Sequence, residues 1–421
     1  MKIIISLIGW VFTCSAVAQD SLSHYLSIAA MNNPDVIQKY REYEATLQKV
    51  YQVKGLPDPE LNMGVFVSPM ELVGGNQVAE IQLMQMFPWF GVLKAAKDEM
   101  SMMANAKYEL FRDAKLQVIY GVQSTWYNLY EIQQSILISE KNIGILQAIE
   151  RLSLAKFKTA SSETGSGGSL VDLYRIQIEI GDLENYLSLL KNQQNTLVAE
   201  FNSYLNRPVI NPVSLPDSIP ADTLAISLVS VSDSILANNP MLGMLQYEQK
   251  SLESRKKMVT KMSYPMIGLG LNYSVINRNE MSTSSMNGKD MVMPMVSVTL
   301  PIYRKKYKAM QAETGFLRDA ATQNYTASAN NLRTEYYQAV QLYQDAQRRV
   351  DLYKGQGILA GKSLEITMKS FAASGSGLTD LLRIREQKLE YDYKQIEAIA
   401  DFNTAIALLK RLGNLETNGN R

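Results

Sequence analysis

The sequence predicts an α+β membrane protein of two tandem repeats, each pairing long coiled-coil helices with a two-stranded β-hairpin. Three observations predict it. All 13 prolines fall in two windows, Pro34 to Pro88 and Pro208 to Pro301. Each window holds two runs of alternating apolar and polar residues. One phrase is written twice: "GSGGSLVDLYR" at 165–175 and "ASGSGLTDLLR" at 373–383, with Asp172 and Asp380 separated by 208 residues.

The stretches 89–207 and 302–421 contain no proline, about 120 residues each. Because proline breaks helix interiors, such blocks predict long uninterrupted helices. The windows themselves look like copies. "NNP" stands at 32–34 and 238–240, a further proline follows 25 residues later in each (Pro59, Pro265), and the windows close on "FPWFG" (87–91) and "LPIYR" (300–304). The expected organisation is a leader at 1–18, a first repeat at 19–206, a Pro-rich linker at 207–229, and a second repeat at 230–421.

The strand signals lie at 60–87 and 266–300. In the first, Leu61, Met63, Val65 and Val67 share one face; in the second, Ile267, Leu269, Leu271, Tyr273 and Val275 do. The return strands place Ala79, Ile81, Leu83 and Phe87, then Val292, Val296, Val298 and Leu300, the same way. Period-two alternation marks a sheet that is apolar on one side and wet on the other. Segments 68–77 and 277–290 read as the hairpin loops. A sandwich would need a partner layer, and only four strands are visible. Strands of this length also suit an outer-membrane barrel, but even the smallest barrel needs about eight. An open sheet in lipid would leave unpaired backbone groups at its edges, so several copies must share one barrel.

Helix lengths balance on the same scheme. From Gly91 to the first Gly/Ser turn is about 74 residues, near 110 Å at 1.5 Å per residue. The return segment, 169–205, covers about half of that, and a helix over about 20–52 covers the rest end to end. The second repeat has corresponding segments at 302–373, 377–412 and 230–262. Ile176, Leu183, Leu190, Leu197 and Tyr204 are seven apart, with Ile180, Leu187, Gln194 and Phe201 interleaved, a coiled-coil seam.

Composition removes most chemistry. Lys+Arg is 42 and Asp+Glu 41, which gives no basic surplus for nucleic acid. His24 is the only histidine and Cys14 the only cysteine, so no His pair could hold zinc. No catalytic constellation, cofactor motif or metal-ligand spacing is present, and the chain reads as a non-enzyme without cofactor. Met1 to Ala18 reads as a secretory signal ending in "AVA", with Cys14 in poor context for lipidation. Methionine is abundant at 21, clustered at Met100, Met102 and Met103 and at Met291, Met293 and Met295. Thioethers are soft ligands for copper(I), but methionine is also an adaptable apolar filler, and filler is the reading taken.

The ordered set of "NNP", strand, loop, strand, "P-x-[FIY]", long helix, "G-x-x-x-x-D-L" turn and return helix, present twice, resembles the TolC-type outer-membrane efflux proteins. The resemblance covers essentially the whole chain beyond the leader. It implies a homotrimer whose protomers share a 12-stranded β-barrel in the outer membrane of a Gram-negative bacterium, above an α-helical barrel that extends into the periplasm. It implies a passive exit duct that docks a periplasmic adaptor and an inner-membrane pump, with the RND type as a candidate. By position, Gly167, Gly168, Ser169, Leu170 and Val171, with Gly375, Ser376, Gly377, Leu378 and Thr379, become adaptor-docking tips. Asp172, Arg175, Asp380 and Arg383 become a candidate periplasmic gate. Some relatives carry a second acidic ring three residues after the first; here that position is Arg383. The alternative is a periplasmic structural coiled coil or adaptor without a channel.

Overall fold

The protein is described by a computed structural model over residues 22–160, 170–220, 228–373 and 377–415. The leader expected at 1–18, with Cys14, lies outside the described residues. In chain order the elements are α1 (Leu22–Asn32), α2 (Pro34–Lys54), β1 (Glu60–Leu72), β2 (Gly75–Phe87), α3 (Val92–Ala160) and α4 (Leu170–Tyr204). Then come α5 (Leu228–Asn238), α6 (Pro240–Met262), β3 (Met266–Asn277), β4 (Met291–Thr299), α7 (Arg304–Ala372) and α8 (Leu378–Leu412). The second set follows the order of the first. Helices α3 and α7 are each 69 residues long, and α4 and α8 each 35.

The helix expected as one piece over 20–52 is two. The break falls at Asn33, whose backbone is extended (φ −64°, ψ 127°). A residue before proline is pushed out of the helical region, and Pro34 then starts α2 with φ already set. Asn239 and Pro240 break the later segment in the same way, with φ −67° and ψ 124° at Asn239.

All four strands form one antiparallel sheet in the order β1-β2-β3-β4. The first hairpin corrects the expected loop at 68–77. The strands run on to Leu72 and resume at Gly75, leaving a two-residue turn at Val73 and Gly74. A shift of register between Val65 and Met70 bends β1 there, and Gly75 supplies the left-handed backbone at the turn (φ +123°). Glu71 and Asn76 pair across this extension, so its polar residues concealed strand from a reading based on alternation. The second hairpin has its connection at 278–290, close to expectation.

Helix α3 packs against α2 and α6 over one part of its length and against α4 and α8 over the other; α7 packs on α6 and α8. Helices α2 and α4 therefore cover α3 end to end, as the lengths required. From the seven-residue series Ile176, Leu183 and Leu190 are buried, and Ile176 and Leu183 share a core cluster with Leu146 and Ile149 of α3. The linker is held by side chains: the Tyr25 hydroxyl accepts from Ser214 N at 3.2 Å, and Asn202 Nδ2 donates to Val209 and Asn211 carbonyls at 2.9 and 2.8 Å.

Candidate functional sites: an apolar sheet face and two helix tips

Register decides what the sheet presents. Leu83 lies opposite Leu61 on one side and Leu271 on the other, and Ile81 lies between Met63 and Tyr273. Leu269 opposes Val296, and Ile267 opposes Val298. One face is thus apolar across all four strands, and Leu61, Met63, Val65, Val67, Leu83, Leu269, Leu271, Val296 and Val298 on it are exposed. Among the described residues no second layer covers it. The opposite face carries Glu60, Asn62, Glu80, Gln82, Asn272 and Ser274. Among the described residues the outer strands β1 and β4 each pair with one neighbour, so both sheet edges are open there.

Below the strands lies an aromatic collar. Trp89 stacks on Tyr264 at 5.4 Å and 17°, and both line a cavity of about 400 Å³ with Tyr303, Tyr307, Lys261 and Lys306. Gly91 takes φ +82° as the chain turns into α3. Its left-handed backbone favours glycine, and the flexible end of Lys261 lies where a Cβ would stand. Among the described residues no helix is long and apolar enough to cross a membrane.

At the other end of the long helices the two hairpin tips come together. Gly167, Gly168 and Ser169 of the first tip and Gly375 and Ser376 of the second lie outside the described residues. Leu170 and Val171 open α4 and are exposed, Val171 at 63%. Gly377 precedes α8 with φ −78°, a conformation open to any residue, so its backbone does not require glycine. Leu378 departs from the idea of a free apolar knob. It is only 5% exposed, packed in the cluster that contains Phe371, Leu381 and Leu382 of its own hairpin and Ile149 and Ile176 of the other. Leucine there closes the tip.

The four gate candidates separate into different roles. Asp172 and Asp380 each sit in the first turn of their helix, where a carboxylate complements the positive end of the dipole. Arg175 Nη1 donates to Thr379 Oγ1 at 2.9 Å and so ties the first tip to the second. Asp380 and Arg383 pair with each other at 3.6 Å on the exposed side of α8. One polar tie was not legible. Arg385, buried on α8, pairs with Glu179 of α4. At the offset of 208 the equivalent positions are Gln177 and Gln387, so the duplicated phrase gave no hint of it. Among the described residues, no group of three or more His, Cys, Asp or Glu side chains is arranged to hold a metal.

No protein-family model and no curated protein matches the sequence. Solved structures do. The outer-membrane channel OprN aligns with TM-score 0.77 at 14% identity, covering 93% of this chain and 89% of that one. The CmeC outer membrane channel of Campylobacter jejuni gives 0.73 at 14% identity over 95% of this chain and 87% of its own. The open-state MtrE outer membrane channel of Neisseria gonorrhoeae gives 0.74 at 14% identity, with 93% and 88% covered. With the long helical hairpins, the shared antiparallel sheet and nearly full coverage, the chain has the fold of the TolC-type outer-membrane efflux channels.

Proposed function

We propose that the protein is the outer-membrane exit duct of a tripartite efflux or secretion system, passive and non-catalytic. The observation that carries this is the four-stranded sheet with an uncovered apolar face and two open edges. In water that surface would be an aggregation hazard; in lipid, with its edges paired to other copies, it is a third of a 12-stranded barrel. Three protomers close it, and the polar face lines the lumen.

The helices support the same assembly. On α7, Leu352, Leu359 and Ile366 are seven apart and all exposed. Such a seam has the spacing of a coiled coil whose partner is another chain. Side by side, three sets of helices continue the lumen into the periplasm, and the aromatic collar sits at the membrane boundary, where ring and hydroxyl meet lipid and water together. The tips face a periplasmic adaptor, through which an inner-membrane pump, of which the RND type is the candidate, delivers the substrate. The proposed divisions are the leader at 1–18, the repeats at 19–206 and 230–421, and the linker at 207–229.

The test is assembly and conduction of the detergent-purified protein. A trimer by native mass measurement that forms stable conducting pores in planar bilayers is the expected result. A protein that stays soluble without detergent, as a periplasmic coiled coil or adaptor would, overturns the reading.

A further inference from the structure

The collar beneath the sheet is also a band of positive charge. Residues 254–265, which lead into β3, hold Arg255, Lys256, Lys257 and Lys261; residues 300–312, which follow β4, hold Arg304, Lys305, Lys306 and Lys308. Neither segment contains an acidic residue, although the chain as a whole is balanced at 42 basic and 41 acidic. Entry into a long helix does not require this charge. Aligning "FPWFG" on "LPIYR" sets Arg304, Lys305, Lys306 and Lys308 against Gly91, Val92, Leu93 and Ala95 of the first repeat. Cations at the start of a helix also face the positive end of its dipole, and α7 has no acidic residue in its first turn to offset them.

Two of these lysines, Lys261 and Lys306, line the cavity of about 400 Å³ together with Trp89, Tyr264, Tyr303 and Tyr307. The Lys261 ammonium is seated over Gly91, in the room that the missing side chain leaves. Lys306 stands 6.0 Å from the centre of the Tyr307 ring. Among the described residues neither ammonium pairs with a carboxylate, and Glu313, the first acid after the band, is held by Arg255 at 3.4 Å. The volume is that of a small-molecule site. Aromatic walls with two unpaired ammonium groups suit a ligand that is apolar at one end and anionic at the other.

Apolar surface continues out of the cavity. Leu300, two residues past Val298, lines it, and Phe87, Ile267 and Val298 pair across three strands at the adjoining end of the apolar sheet face. Beside the cavity Phe90, Ile302 and Tyr303 are exposed at 81, 69 and 78%. We infer that the collar cavity binds an anionic phospholipid, its phosphate held between Lys261 and Lys306 and its acyl chains laid against the apolar sheet face. The lysines donate charge-assisted hydrogen bonds to the phosphate oxygens. The rings of Trp89 and Tyr264 take the glycerol and the first methylenes, the place aromatic side chains occupy at a membrane–water boundary. The acyl chains cover Leu300, Val298 and Ile267. The surrounding positive band favours an anionic headgroup over a zwitterionic one.

The lipid surroundings rest on the duct reading, whereas the cavity lies within one protomer, so the two are tested apart. Detergent-purified protein is titrated with phosphatidylglycerol or with phosphatidylcholine of the same acyl chains, and bound lipid is counted by native mass spectrometry. Phosphatidylglycerol is expected to bind about tenfold more tightly, with a preference that shrinks at high salt. Lys261→Gln with Lys306→Gln is expected to weaken phosphatidylglycerol binding about tenfold or more, because two charge-assisted hydrogen bonds are lost, and to leave trimer yield unchanged. Lys354→Gln with Lys362→Gln removes the same charge farther along α7 and is expected to leave lipid binding intact. Inorganic phosphate at millimolar concentration is expected to leave the lipid bound; displacement by phosphate overturns the lipid in favour of a free anion. Equal binding of the two lipids, or full binding by the Lys261 and Lys306 double variant, overturns the site. A double variant that binds lipid like wild type but yields less trimer also overturns it, and gives the cavity to a neighbouring copy. Selective lipid binding by a protein that forms no trimer and no pore leaves the site standing and removes the duct. A conducting trimer without lipid selectivity removes the site and leaves the duct.

Discussion

The Asn33 side chain serves two helix ends at once. Its Oδ1 accepts from Asp35 N and Val36 N at 3.0 and 3.4 Å, capping α2, while its Nδ2 donates 3.0 Å to the carbonyl of Tyr204, the last residue of α4. Asn239 repeats the arrangement, accepting from Met241 N at 3.0 Å and donating to the Leu412 carbonyl, the end of α8, at 3.2 Å. The repeated "NNP" is thus the splice where two short helices abut along a long one. Only a side chain with both an acceptor and a donor can serve both ends.

Asn33→Ala and Asn239→Ala are each expected to destabilise the protein by about 2 kcal/mol, from a lost cap plus a buried carbonyl left unpaired. Asn33→Asp keeps the cap but turns a carboxylate oxygen toward the Tyr204 carbonyl, so it is expected to recover little of that loss. Denaturant unfolding of detergent-solubilised protein measures both. An aspartate variant as stable as wild type would show that the donor contributes nothing.

The sheet gives a comparison between its two faces. Leu269 is on the apolar face and Asn272 on the polar face of the same strand. Leu269→Arg is expected to cost about 2–4 kcal/mol per site near the bilayer midplane and to lower insertion and trimer yield. Asn272→Arg should insert normally. Equal yields of the two would place the sheet outside lipid.

Glu131 on α3 gives a pH dependence. Burial, and then the negative charges of Glu397 and Asp401 on α8, raise its pKa from the ordinary 4.5 to about 7. Those two partners are also held by Arg349 of α7, at 3.6 and 2.5 Å. A raised folded-state pKa means that the native protein binds the proton more tightly than the unfolded chain. The contribution is complete below about pH 4.5 and is lost as pH rises through about 7. Glu131→Gln is expected to raise the melting temperature at pH 8 relative to wild type and to change it little at pH 5. An equal shift at both values would assign the effect to packing.

Much of this architecture was legible because it is written in spacing. Proline-free blocks gave the starts of the long helices Val92–Ala160 and Arg304–Ala372 to within two residues, and the seam on α4 gave its buried side. The breaks at Asn33 and Asn239 were missed because a helix count by length ignores what a proline does to the residue before it. The longer first hairpin was missed because Glu71 and Asn76 are polar and the register slips after Val65. At the tips, sequence marked the aspartates but not what they meet. Arg175 with Thr379, and Arg385 with Glu179, join segments about 205 residues apart, and no local pattern encodes such a pair.

The docking and closure proposed for the tips can be tested apart. Leu378 is buried beneath Phe371 and Leu381, so Leu378→Asp should loosen the end of the hairpin and lower stability, and lost export in that variant would not report on an adaptor. Val171 is exposed at the start of α4, where a carboxylate is compatible with the helix dipole. Val171→Asp is therefore expected to leave trimer yield and melting temperature unchanged while abolishing export in cells that carry the native partners. The proposed closure rests instead on Arg175, which bridges to Thr379 across the two hairpins. Arg175→Ala removes that tie in all three copies of the proposed trimer and is expected to raise pore conductance in planar bilayers. Asp380→Ala and Arg383→Ala remove charges that pair with each other at the water-exposed edge, so they are expected to change ion selectivity, less at high salt. If Arg175→Ala conducts like wild type, the tips do not hold the pore shut and Arg175 only splices two helices.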